Sequence, residues 1–182
     1  MDTRLVHAAW RAVDHSAHEE LSLRWDNGGW VAEGIVRGPD VQYVLRLGPD
    51  FDTRQFLLFR DLEEPDLWLI TDGEGRWAEM NGVERTDLAG CTAIDLGCTP
   101  FTNTIPIRSA SLAVGETAEI RCAWVDVDTL AVVPDLQRYT RVAPQRWRFE
   151  SPAAEFTVEF DVDEHGLVLD YPGRFVRIVP GT

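Results

Sequence analysis

Lysine is absent from this chain: all 17 basic residues are arginine. That excludes Schiff-base chemistry and a phosphate-loop lysine. Residues suited to metals or thiol chemistry are few. The three cysteines, Cys91, Cys98 and Cys122, are an odd number without zinc-knuckle spacing, and Cys122 sits in an alternating apolar run as a small buried hydrophobe. The four histidines, His7, His15, His18 and His165, show no metal-ligand spacing, so no metal and no cofactor is assigned. There is no Gly-x-Ser-x-Gly elbow, nucleotide loop or Cys/His dyad. The longest apolar runs, such as Phe56–Phe59 and Leu130–Pro134, fall far short of the roughly 20 residues of a membrane span. Charges at Asp2, Arg4, Arg11 and Asp14 break up the N-terminus, leaving no secretory h-region. The expectation is a cytoplasmic protein without stable membrane insertion.

What is present points to a compact fold. At 182 residues the chain has the length of one domain, 1–182, with a core that needs no staple. Acidic residues outnumber basic ones 31 to 17, for a net charge of −14. Such a surface repels a phosphate backbone, and the arginines are scattered singly, so nucleic acid is not an expected partner. Oligomeric state is left open.

Period-two alternation dominates. Phe156, Val158, Phe160 and Val162 face one way, with acidic and hydroxyl groups opposite. Val41, Tyr43, Leu45 and Leu47 repeat the pattern. Ile120–Val127 is apolar on both sides at one end, as in a strand covered on both faces. Turn signals such as Asn27-Gly28-Gly29, Gly48-Pro49-Asp50 and Asn81-Gly82 separate these runs. The pattern predicts an all-β sandwich, roll or barrel of many short antiparallel strands. Helical signals are weak. Leu5–Val13 reads equally as helix or strand. In Thr99–Pro106, Thr99 suits an N-cap and Pro100 a first helical position, with Pro106 ending the helix. This predicts one short helix plugging an end of the β structure.

The segment Gly90–Arg108, with its specific Thr99-Pro100-Phe101-Thr102-Asn103-Thr104 core, resembles the signature of a bacterial glycolipid-binding family. The resemblance continues through Gln137-Arg138-Tyr139-Thr140 and Asp163–Gly173, and upstream through Trp10 and Gly73–Trp77. It implies a spiral β-roll, or half-open barrel, with a single helix, similar to carriers that shuttle lipoproteins and hold acyl chains. It also implies a lipid or glycolipid ligand. This chain departs from the family where Ser109 follows Arg108, because a second arginine is common there; a double-arginine anion clamp is not available.

Each candidate site residue has a structural reading beside the functional one. Arg108 suits a ligand phosphate or carboxylate, or a salt bridge to Asp95 that anchors the plug. Thr102, Asn103 and Thr104 suit sugar hydroxyls, or capping and turns. Gln137 and Tyr139, two apart, share one strand face and either orient a headgroup or bond backbone. Asp95, in an apolar run, is the carboxylate most exposed to perturbation by burial. Of the seven tryptophans, most suit the core, and Trp77, after a Gly-rich acidic turn, is expected near an opening. The leading functional expectation is a non-catalytic protein holding an amphiphile in an apolar cavity, its head at a rim of Arg108, Asn103, Gln137 and Tyr139. The alternatives are a structural or interaction module with a filled core, and an enzyme acting on a lipid- or sugar-linked substrate with Asp95 as acid or base.

Overall fold

The computed structural model describes residues 5–61 and 63–180, so Met1–Arg4 of the N-terminal reading lie outside it. Thirteen strands form two sheets among the described residues. Seven strands follow one another as an antiparallel meander: β1 (Leu5–Ala12), β2 (His18–Asp26), β3 (Gly29–Arg37), β4 (Val41–Leu47), β5 (Thr53–Phe59), β6 (Leu67–Thr71) and β7 (Trp77–Glu79). The last strand, β13 (Phe175–Ile178), returns to pair with β1. The second sheet contains β8 (Ala93–Leu96), β9 (Thr117–Val125), β10 (Val132–Ala143), β11 (Arg146–Ser151) and β12 (Phe156–Asp161), in the order β12-β11-β10-β9-β8. β8 runs parallel to β9, and the remaining pairs are antiparallel. The all-β class matches the reading of the sequence, and the described strands close no barrel.

Local chemistry explains the elements. In β4 the side chains of Val41, Tyr43, Leu45 and Leu47 are buried while Gln42 and Arg46 are exposed. The β2–β3 hairpin turns on Asn27 and Gly28, both at positive φ (50° and 84°). That is the two-residue turn whose twist matches its strands. It sets Trp25 opposite Trp30, with ring centroids 5.3 Å apart, edge to face. The segment after Leu5, ambiguous in sequence, is a strand; Trp10 is fully buried in it and its indole N–H donates to the carbonyl of Val168 at 2.8 Å. β9 is covered on both faces at its C-terminal end, as the pattern predicts: Cys122, Ala123 and Val125 are all buried.

One core cluster packs Leu23, Leu45 and Phe56 of the large sheet against Ile94, Leu96 and Val125 of the small one. A second gathers Tyr139, Trp147, Phe149, Phe160 and Tyr171 on the small sheet. The connection between β8 and β9 carries a 3-10 turn, Phe101–Asn103, and then the helix α1 (Thr104–Ser109). Here the structure corrects the expected limits. Thr99 stands one residue before the N-cap, Pro100, and its hydroxyl accepts from Phe101 N–H at 2.9 Å. But Pro106 does not end the helix; it lies inside the first turn of α1, where a missing N–H leaves no bond unmade. Phe101 and Ile105 are completely buried and drive the plug into the first core.

Candidate functional site

A pocket opens where the plug meets the inner face of the small sheet. Its floor comes from three elements. Asp95 lies on β8, Asp135 and Gln137 on β10, and Asn103 at the end of the 3-10 turn. Strand alternation puts Asp135, Gln137 and Tyr139 on one face of β10, and Gln137 and Tyr139 are each only 1% exposed. Parallel pairing sets Asp95 opposite Trp124.

A continuous hydrogen-bond network fixes these groups. The Gln137 amide NH2 donates to Asp95 Oδ2 at 2.7 Å and to Asp135 Oδ2 at 3.2 Å. Its carbonyl oxygen accepts from the Cys122 thiol at 3.2 Å and lies 3.3 Å from the Tyr139 hydroxyl. Tyr139 also reaches Asn103 Oδ1 at 3.0 Å, and the Asn103 NH2 donates to the Pro100 carbonyl. The Thr102 hydroxyl donates to Asp95 Oδ1 at 2.7 Å, and Ser151 donates to Asp135. Burial raises the pKa of Asp95 from its ordinary value, opposed by the bonds from Thr102 and Gln137 and by the charge of Arg174; the charge of Asp135 pushes it the same way as burial. Burial also pushes Tyr139 well up, keeping its phenol protonated.

The walls are aromatic: Phe149, Phe156, Tyr171 and the half-buried Trp124. Arg174 stands at the mouth with its guanidinium 4.9 Å from the Phe156 ring centroid. The cavity volume is about 120 Å³. That is below the ~300 Å³ of a drug-sized site, so a whole lipid does not fit within it. Gly97 and Trp124 belong also to a neighbouring groove of about 330 Å³, mostly apolar, with Pro39, Cys98, Val125 and Val127 beside Asp126 and Asp128.

The plug is tied to the large sheet by a second buried carboxylate. Glu19 on β2 is 1% exposed and accepts from the Tyr43 and Thr99 hydroxyls, each at 2.6 Å. Burial raises its pKa to about 7 against these two bonds. Space for the Tyr43 ring exists because residue 34 is glycine; a Cβ there would collide with that ring.

The structure thus brings together Asp95, Thr102, Asn103, Gln137 and Tyr139. It places Arg108 and Trp77 elsewhere. The bridge from Arg108 to Asp95 is not what holds Asp95, whose oxygens each accept one bond, from Thr102 and from Gln137. The Arg108 guanidinium instead lies 4.1 Å from the Phe51 ring centroid and 5.4 Å from that of Trp30, and donates to the His165 carbonyl. It lines a different cleft, with His165 and Trp147. The reason is helical geometry: six residues past Thr102, the chain has turned Arg108 toward another neighbour. Trp77 does border an opening, a groove of about 440 Å³ beside β7, while its indole N–H donates to the Cys91 carbonyl at 2.7 Å. Missed in the sequence were Glu19, Trp124, Asp135 and Arg174. Glu19 alone left a signal, since it shares the parity of the buried Leu21 and Leu23.

Among the described residues no helix is long and apolar enough to cross a membrane, and no group of His, Cys, Asp or Glu side chains is arranged to hold a metal ion. No curated protein matches the chain. A crystal structure of a DUF1089 family protein from Pseudomonas aeruginosa is similar, with a TM-score of 0.70 and 30% identity over 93% of this chain and 92% of that one. A family model matches residues 7–177, almost the whole length. The chain belongs to the family which that model describes, "Putative glycolipid-binding".

Proposed function

We propose that this chain, acting as one domain, is a non-catalytic binding protein for a sugar-headed amphiphile. The sugar enters the pocket and its hydroxyls donate to Asp95 and Asp135, while Asn103 and Gln137 complete the polar floor. Its C–H faces pack on Phe149, Phe156 and Tyr171. The tail leaves over Trp124 into the mostly apolar groove beyond Gly97. Burying tail surface there contributes roughly 25 cal/mol per Å² before association costs. The observation that carries the reading is a preorganised acid-and-amide floor beneath aromatic walls, which suits a ring with hydroxyls at its edge and C–H bonds on its faces. A cytoplasmic setting goes with this reading.

The test is titration of the full chain with octyl glucoside below its micelle-forming concentration, followed by tryptophan fluorescence and native mass spectrometry. Saturable one-to-one binding is expected, weakened about tenfold in Trp124→Ala. Glucose and octanol separately should bind far more weakly. Absence of saturable binding by the glucoside would overturn the reading.

A second reading, hydrolysis of a glycosidic bond, has one observation behind it. Asp95 faces a polar pocket without the Arg108 bridge, its pKa is raised, and Asp135 shares its amide donor. In that reading Asp95 protonates the leaving oxygen while Asp135, held close to it on the same amide nitrogen, attacks the anomeric carbon as nucleophile; water, deprotonated by Asp95, then releases the sugar from Asp135. Turnover of nitrophenyl glycosides that vanishes in Asp95→Asn would favour it over binding alone.

A further inference from the structure

Resting on the sugar-headed reading above, we propose that the headgroup is anionic: its charged group, a carboxylate or a phosphate, pairs with Arg174 at the mouth while its hydroxyls meet the carboxylates at the floor. Arg174 is the single basic side chain among the residues that line the pocket. It is exposed, and its guanidinium is held on the Phe156 ring, which itself stacks on Tyr171 at 6.4 Å. The turn that carries it is fixed by backbone bonds between residues 171 and 175 and by the bond from Val13 to its own carbonyl.

Among the described residues no carboxylate comes within ion-pair distance of Arg174. Arg138 and Arg148 of the adjoining sheet are instead paired with Glu119 and Glu159 at 2.9 and 2.7 Å. A planar fork at a pocket mouth, backed by an aromatic ring, feeling the charge of Asp95 across the pocket but making no close ion pair with it, is built to receive an anion at the rim.

The polarity of the ligand follows from the same arrangement. Asp95 and Asp135 accept hydrogen bonds and repel negative charge, so an anion at the floor is excluded and donors are required there. Only at the rim is a negative group matched. With a net charge of −14 the protein as a whole repels anions, so selectivity for one rests on this local contact.

The experiment compares octyl glucoside, octyl glucuronide and octyl glucoside 6-phosphate, with free glucuronate as a tail-less control, on the full chain at low salt. At least one anionic detergent should bind about tenfold more tightly than the neutral one, an advantage of charge-assisted bonding that shrinks with added salt. In Arg174→Gln, checked for an unchanged melting temperature, that ratio should fall to about one; Arg174→Lys should keep part of it. Equal affinities in the wild type, or a ratio that survives Arg174→Gln, would overturn the anion assignment and leave the sugar-headed reading standing. If none of the three detergents binds, both fall. If free glucuronate binds as tightly as its octyl glycoside, the anion assignment stands and the tail is removed from the reading.

Discussion

The amide nitrogen of Gln137 lies 2.7 Å from Asp95 Oδ2, and this bond joins the parallel edge strand to the middle strand of the small sheet. Its second hydrogen reaches Asp135, so one neutral side chain separates two acids. Replacing Gln137 with Leu leaves Asp95 and Tyr139 short of a partner, and should cost about 1–3 kcal/mol in urea unfolding. Gln137→Glu places a third carboxyl between two others. Its melting temperature should be depressed at pH 8 and recover toward pH 5, where the cluster holds a proton. A pH-independent deficit would show that charge is not the cause.

Glu19 gives a second pH dependence with a definite sign. Its pKa is raised from 4.5 to about 7 by burial, so the folded chain holds a proton that the unfolded chain releases at lower pH. Stability from this group is intact below about pH 4.5 and declines as pH rises to about 7, by an amount on the order of 3 kcal/mol. Glu19→Gln removes that decline. The difference in unfolding free energy between Glu19→Gln and wild type should therefore shift in favour of the variant from pH 5 to pH 8; a constant difference would refute the assignment.

Gly34 lies directly under the Tyr43 ring. Gly34→Ala should displace that ring, strain its bond to Glu19 and destabilise the chain by about 1–3 kcal/mol. Tyr43→Phe in the Gly34→Ala background should cost less than Tyr43→Phe alone, because the bond it removes is already compromised. Full additivity in the double-mutant cycle would count against the coupling.

Arg108 belongs to the packing of the plug. Arg108→Ala should lower stability by about 1 kcal/mol through loss of its stacking on Phe51 and Trp30. Octyl glucoside affinity measured under native conditions should stay within about twofold of wild type. A large loss of binding with intact stability would return Arg108 to the site.

The strands were legible because alternation records which face is buried; β4 and the end of β9 follow their patterns residue by residue. Five of the seven expected site residues meet in space: Gln137 and Tyr139 share a strand face, Thr102 and Asn103 share the short plug, and Asp95 lies on the strand that leads into that plug. Arg108 could not be placed the same way, because the direction a plug presents depends on its rotation against both sheets. Trp124 was hidden by its company. Between Cys122 and Val125 it reads as core, and nothing in the alternation shows that its indole borders the pocket beside Gly97. Arg174 was invisible for a different reason: no local pattern joins a C-terminal turn to an acid 79 positions earlier in the chain, Asp95. Glu19 shows the opposite case, where parity alone marked an acid as inward-facing and the charge distracted from it.

The plug is itself the crossover that a parallel pair requires, since β8 cannot lie alongside β9 until the intervening residues have looped back. Closing that loop carries an entropic cost that the contacts it makes must offset. Asp95 meets Gln137 only once it has happened, and Thr99 meets Glu19 by the same act. Ligand affinity should therefore be lost together with either bond, because one crossover positions both the pocket floor and the tie to the large sheet.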